Sequence, residues 1–515
     1  MTVIILGWLK LKINSNPVFV LHLFNHCCAH FYYFYRLPFF VMKLIATLFS
    51  LLFTSGLFAQ EGYEIKVTLK PFKNQYIYLG NYYGKQLPII DSVKLNEKSE
   101  GIFKGDKKLG GGIYLIGYPG KARNFDILVD KNQKFSITAD TNNISKIIFT
   151  NSPENIDFQA YQSFMGTNGK KLEDLNKQRL TVDRKDSFKL TEQINAVNAA
   201  IREYRTTIIT KEPNGLLTTL LKGMKEPEVP ANPPGAKKDS LFAYRFFKTH
   251  YWNDVNFTDD RLVRTPFFEG RIDKYFEQLV YPAADSVIKE IDWMLSFASV
   301  SEEMQKFLLL KFVNRYLNQK YMWEDAVFVH LFEKYFAQKK YAWFNENGKK
   351  IITDRAYSLM ANIFGSPASD VQLPDTSGKI VNLYGIEAAY TLLVIWDPAC
   401  GHCKEVLPKL DSMYLVKWKG MGLKPFGLAK ETDGNKKDWL NFIHQHALNN
   451  WAHVYYSKED DKKRTSSGIP GYSQLFDVQS FPTLYLLDQD KRIIAKKITE
   501  NQIDDILRYR EKSGK

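Results

Sequence analysis

A chain of 515 residues, at about 100 to 200 residues per domain, is expected to form two to four domains rather than one core. Apolar residues at 45%, charged residues at 24% and a mean hydropathy of -0.31 exclude a disordered chain and a polytopic membrane protein, and four cysteines exclude a disulfide-stapled scaffold. The formal charge of +14 does not point to nucleic acid, because residues 1–60 hold Lys10, Lys12, Arg36 and Lys43 with no acid, and the excess left over the rest is thin.

At the start, Met42-Lys43 precedes an apolar run from Leu44 to Phe58 that closes at Ala59-Gln60, just before the first acidic residue, Glu61. This pattern predicts a secretory signal peptide, with translation beginning at Met42, cleavage near Ala59 and residues 1–59 removed as leader and signal. A membrane-spanning leader over Pro17 to Phe40 is the other reading, but Asn25, His26, His30 and Arg36 are costly in hydrocarbon. The expected location is the periplasm or cell envelope. No cysteine stands between Cys28 and Cys400, so no lipid anchor is expected. The processed chain would keep Cys400 and Cys403 as its cysteines.

Residues 60–150 read as a small β-rich domain. Short alternating runs such as Ile65-Val67-Leu69, Tyr76-Tyr78 and Phe125-Ile127-Val129 are separated by Gly80-Asn81, Gly110-Gly111-Gly112 and Asp140-Thr141-Asn142-Asn143, which suggests a small antiparallel β-sandwich. Residues 151–361 change to helical periodicity. There Ser299 with Glu302 reads as a capping box, followed by Met304, Leu308 and Phe312 on one face. The proline-rich stretch from Glu226 to Gly235 must be a loop. Dense aromatics in this span are expected to be core.

The chemistry falls in residues 362–515. The buried-strand run Leu392 to Trp396 leads through Asp397-Pro398-Ala399 into Cys400-Gly401-His402-Cys403, and Lys404 to Trp418 reads as a helix. Spacing of three puts both sulfurs on one side of the first turn, within disulfide reach. Free amides and the positive end of the helix dipole favour a thiolate on Cys400, and Cys403, one turn inward, is shielded and attacks later. Zinc would need four ligands, and no second cysteine pair exists. His444 and His446 are two apart and point in different directions on a helix. Beyond, Lys424 to Ala429 and Trp451 to Tyr455 read as strands, with Lys436 to His446 a helix between them.

These residues carry a resemblance. The segment Trp396 to Cys403, Pro408 five residues on, and Ser480-Phe481-Pro482-Thr483 before the run Leu484 to Leu487 resemble the active-site turn, kinked helix and cis-proline loop of the thioredoxin superfamily. Gly365-Ser366-Pro367-Ala368 with Leu373 to Gly378 and Leu383 is similar to the opening hairpin of TlpA/ResA-like envelope thioredoxins, and the front of the chain is similar to a β-domain and a helical domain of unknown function. The resemblance implies a multidomain chain, with a C-terminal α/β thioredoxin-like domain preceded by a mostly helical domain and a small antiparallel β-sandwich-like domain. It implies Cys400 and Cys403 as catalytic residues, Trp396, Gly401, His402, Phe481 and Pro482 as substrate-binding residues, and no cofactor or metal.

Several positions depart from the family. Val406 stands where many members carry a proton-transferring glutamate, with Glu405 its neighbour; Val394 replaces a buried aspartate, for which Asp397 is a candidate substitute; and His402 replaces the proline of reducing thioredoxins. The expected function is an envelope thiol-disulfide oxidoreductase, reducing protein disulfides with electrons from a membrane thiol donor. His402 instead leans toward an isomerase or oxidase. A thiol peroxidase, which would place threonine where Asp397 stands, and a ligand-binding envelope protein with an accessory redox domain are the alternatives.

Overall fold

The alternating apolar residues of the first span become strands in a computed structural model, which describes residues 62–121, 123–142, 147–230 and 240–513. The leader and signal peptide expected over 1–59 lie outside the described residues. In chain order the first strands are Tyr63–Lys70 (β1), Tyr76–Asn81 (β2), Ile89–Lys94 (β3), Glu100–Gly105 (β4), Gly112–Gly117 (β5), Asn124–Val129 (β6), Lys134–Asp140 (β7) and Ile148–Thr150 (β8). The chain divides into two compact units. One takes residues up to Lys73 together with Asn96–Leu109 and Asn132–Asn151; the other takes Asn74–Leu95, Gly110–Lys131 and Ser152–Lys515.

In the first unit the sheet order is β4-β1-β7-β8. Ile65, Val67 and Leu69 alternate inward along β1, in register with Phe103 on β4 and with Phe135, Ile137 and Ala139 on β7, so one face is apolar. The expected antiparallel sandwich needs a correction, because β1 and β7 run parallel. The connection between them carries β2 to β6 and returns the chain in the same direction, as a parallel pair requires.

In the second unit the order β3-β2-β5-β6 is antiparallel throughout. Ile113 and Leu128 of this sheet pack against Phe158 and Tyr161 of helix Pro153–Arg179 and against Leu216, Leu217, Leu220 and Leu221 of helix Leu216–Met224. Buried Asn155 accepts from the Leu128 amide at 2.7 Å and donates to its carbonyl at 2.8 Å, which satisfies the backbone of edge strand β6.

The helical span continues through helices Phe242–His250, Phe268–Gln278, Ala284–Ala298, Glu302–Leu317, Glu324–Leu331 and Glu346–Met360. The aromatics Tyr251, Trp252, Phe268, Tyr275, Phe312 and Tyr335 of this span are core. Within the proline-rich stretch, Glu226 to Pro230 is non-helical, and residues 231–235 fall outside the described residues. The expected capping box of Ser299 with Glu302 does not form, and a simple N-cap stands two residues later. Ser301, extended at φ -116 and ψ 117, is the N-cap and accepts from the Met304 amide, whereas Ser299 still closes the preceding helix through its amide to the Leu295 carbonyl.

From residue 372 the strands are Gln372–Pro374 (β9), Ile380–Asn382 (β10), Tyr390–Trp396 (β11), Leu423–Lys430 (β12), Ala452–Tyr456 (β13), Thr483–Leu487 (β14) and Ile493–Lys496 (β15). β9 and β10 form a hairpin; the others make a sheet of order β13-β12-β11-β14-β15, with β11, β12 and β13 parallel and β14 and β15 antiparallel. Leu392, Val394 and Trp396 face one apolar cluster and Leu393 and Ile395 another. Burial on both faces explains why β11 reads as an unbroken apolar run.

Polar contacts bind the helical span to this sheet inside the second unit. Lys496 and Asp325, each about 96% or more buried, form an ion pair, and the Lys496 ammonium also bonds to the carbonyl and side-chain oxygens of Asn362 at 2.7 Å each. Burial pushes the Asp325 carboxyl up and the Lys496 ammonium down, and each offers the other the counter-charge that burial demands.

Candidate active site

Strand β11 ends at Trp396, and five residues later the helix Gly401–Val416 begins, with Cys400 at its N-cap. The link is braced by Asp397. Its carboxylate accepts the amides of Ala399 at 2.6 Å, Thr432 at 2.7 Å and Asp433 at 3.1 Å, while its own carbonyl accepts the Cys400 amide at 3.1 Å. Burial pushes this carboxyl up, but those backbone donors outweigh it and hold the group below the ordinary carboxylate range. Asp397 therefore stays ionised and shapes the turn.

Cys400 is partly exposed and Cys403 is wholly buried, and both are free thiols. The Cys403 amide donates to Cys400 Sγ at 3.4 Å, an N-cap bond in which sulfur takes the place of a serine or aspartate oxygen. Cys400 Sγ also lies 3.7 Å from the carbonyl of Phe481, whose peptide bond to Pro482 is cis. Burial pushes the Cys403 thiol well up, and the charges of Cys400 and Asp397 act in the same direction. Cys403 is thus a thiol at neutral pH, whereas Cys400 Sγ stands at a helix N-terminus and faces a backbone donor.

The structure gathers most, but not all, of the residues expected here. Cys400, Cys403, Phe481 and Pro482 come together, with Phe481 and Pro482 half-buried. Gly401 and His402 stand exposed beside Cys400, and nothing lies within 4 Å of where a Gly401 Cβ would be. Trp396 is a correction. It is fully buried against Phe442, ring centroids 5.1 Å apart, and cannot touch a docked chain. Glu405 points to solvent while Val406 is buried, so the helix rotation leaves no carboxylate at the inward position.

Sequence reasoning missed the loop Thr432 to Gly434, which follows β12 and supports the turn from below. A Cβ on Gly434 would come within 2.7 Å of the Ala399 amide nitrogen, so that loop requires glycine. The available signal was positional, since sites in such sheets gather beyond the carboxyl ends of the parallel strands. Among the described residues, no group of three His, Cys, Asp or Glu side chains is placed to hold a metal ion. His446 packs against Phe442 with centroids 4.4 Å apart and the rings tilted by 42°, and His444 is exposed.

A strand-to-helix turn bearing a CxxC pair, faced by a cis-proline loop in a sheet of this order, defines a thioredoxin-like fold carrying a thiol redox pair. Residues 189–355 match the family described as a domain of unknown function, DUF5106. The chain is 26% identical over 149 residues to thiol-disulfide oxidoreductase ResA of Bacillus thuringiensis (strain Al Hakam), covering 29% of this chain and 77% of the relative. ResA of Bacillus anthracis stands at the same identity and coverage. Among solved structures, a thioredoxin-like protein from Bacteroides caccae is 22% identical with a TM-score of 0.40, covering 56% of this chain and 99% of the other. The ResA relatives support a thiol-disulfide redox function.

Proposed function

We propose that the protein is a protein-disulfide reductase of the cell envelope, carried there by its N-terminal signal. The observation that carries the reading is the asymmetry of the pair: Cys400 is reachable and faces the carbonyl before cis Pro482, and Cys403 is buried one turn behind it. The Cys400 thiolate attacks one sulfur of a substrate disulfide, that S–S bond breaks, and the departing sulfur leaves as a thiolate that takes a proton from water. Cys403 then attacks Cys400 Sγ in the mixed disulfide and passes its proton to the second substrate sulfur as that sulfur leaves. Two electrons have moved to the substrate, and the protein holds a Cys400–Cys403 disulfide. A membrane dithiol donor would reduce it again.

The half-buried Phe481–Pro482 backbone would align an extended substrate chain beside Cys400, in the manner of an added strand. His402, exposed next to Cys400, favours the alternative of isomerase or oxidase direction, because an imidazole at a helix start can stabilise a thiolate. Trapping tests the order of attack. Cys403→Ser is expected to accumulate disulfide-linked complexes with envelope proteins on non-reducing gels, and Cys400→Ser to give few or none; adducts on Cys400→Ser alone would reverse the two roles.

A further inference from the structure

A cleft of about 510 Å³ opens beside the cis-proline loop, and two parts of the chain line it. From the thioredoxin-like fold come Gln479, Lys497 and Ile498; from the helical span come Lys320, Tyr321 and Trp323. Gln479 lies two residues before Phe481, so their Cα atoms are at most about 8 Å apart. On the other side of the loop, the Lys497 amide bonds to the Leu484 carbonyl at 2.7 Å, two residues beyond Pro482. A substrate chain aligned by Phe481 and Pro482 therefore has this cleft as its next neighbour.

The wall from the helical span is held in place before any substrate arrives. Glu324, fully buried, accepts the amides of Lys320 at 2.6 Å and Tyr321 at 3.2 Å, and its other oxygen takes the Arg315 guanidinium at 2.5 Å. Arg355 donates to the Leu317 carbonyl at 3.1 Å and to the Gln319 side chain, while its remaining arm reaches Asp477 at 2.6 Å, two residues before Gln479. The two walls thus share one clamp. Preorganisation of this kind lowers the ordering cost of binding.

The chemistry of the cleft selects its occupant. Tyr321 is 59% exposed and stacks parallel to Trp323, centroids 6.1 Å apart at 4°, which makes a flat aromatic platform. Lys320 is exposed at the rim. Arg355 and Lys497 share the single carboxylate of Asp477, whereas Asp325 and Lys496 neutralise each other, so positive charge is in excess. A carboxylate beside an aromatic ring meets both features.

We propose that this cleft is a specificity subsite, in which the helical span reads acidic and aromatic side chains flanking the target disulfide of an extended polypeptide. The inference rests on the disulfide exchange proposed above and names its substrate class. The test uses the pre-reduced full chain in single turnover against three disulfides: a peptide with Asp, Glu and Tyr beside its cysteines, a peptide of equal length with Lys and Ser there, and 2-hydroxyethyl disulfide. The acidic aromatic peptide is expected to react about tenfold faster than the basic one. Tyr321→Ala should lower the ratio of acidic-peptide rate to small-disulfide rate several-fold, and Lys320→Glu should turn the preference toward the basic peptide. Both variants keep the backbone amides that Glu324 holds. Equal rates for the two peptides, or a preference that Lys320→Glu does not move, would overturn the subsite and leave the exchange reading standing. A reduced chain that reacts with none of the three would remove both.

Discussion

His453 sits on β13 with Nε2 2.8 Å from the Leu448 carbonyl and Nδ1 without a partner among the described residues, in space left by Gly427, where a Cβ would come within 2.9 Å of that nitrogen. Burial holds its pKa down to about 4 against an ordinary 6.5, and the Leu448 carbonyl offsets only part of that. The neutral ring is the folded form, so its contribution is complete above pH 6.5 and is lost as pH falls from there through about 4. The loss amounts to about 3 kcal/mol. Urea unfolding at a series of pH values should show this slope, and His453→Phe should flatten it; an unchanged slope would place the titration elsewhere. Nothing in the sequence marked His453, because its burial depends on the pairing of β13 with β12, which sets Gly427 against the ring. Cys400 and Cys403 were legible, since spacing, the preceding strand and the following helix fix their relation locally. The burial of Trp396 was legible in the same apolar run, and it is the substrate contact implied by the resemblance that Phe442 closes off.

At the scale of elements, Arg355 on helix Glu346–Met360 meets Asp477 in the turn before the cis-proline loop. Asp477 is buried and left-handed at φ 44, a conformation that aspartate tolerates better than most residues. Burial pushes its carboxyl up, but Arg355 and Lys497 prevail and hold it below its ordinary 3.8. Its folded pKa being lowered, the clamp contributes fully above pH 3.8 and fails as pH drops further. Arg355→Met is expected to cost about 1 to 3 kcal/mol, because it removes one of the two partners of that buried carboxylate and leaves Lys497, and a cycle with Asp477→Asn should return a coupling well above zero in denaturant unfolding. Additive effects would show that Lys497 suffices. Such clamps escape a sequence reading, and so did helix Lys458–Ser466, which buries no residue and has no apolar period to announce it. The order β11-helix-β12-helix-β13 and the later strand β14 were legible, because apolar runs and helical periods alternate plainly there. The parallel pairing of β1 with β7 was not, since strand patterns carry no direction.

For the molecule as a whole, the buried Lys496–Asp325 pair joins the helical span to the redox fold within one compact unit. Asp325→Ala should strand the Lys496 ammonium and destabilise that unit by about 3 to 5 kcal/mol, whereas Asp325→Leu with Lys496→Met should recover most of the loss, because an apolar pair of similar volume avoids the desolvation cost. Thermal unfolding of the three proteins decides it, and a double variant as weak as the single would show that the charges themselves are needed. Strand β15 lies at the rim of its sheet. Its outward backbone is nonetheless occupied: Ile493 exchanges bonds with Gly365 and Ser366, Lys491 accepts from Ala368, and the Lys496 amide meets the sulfur of Met322 at 3.2 Å. An open rim of this kind is a template on which a second chain can add itself and seed aggregation. Here the cover comes from residues synthesised before the strand they protect, so the rim's partner already exists when the rim is made.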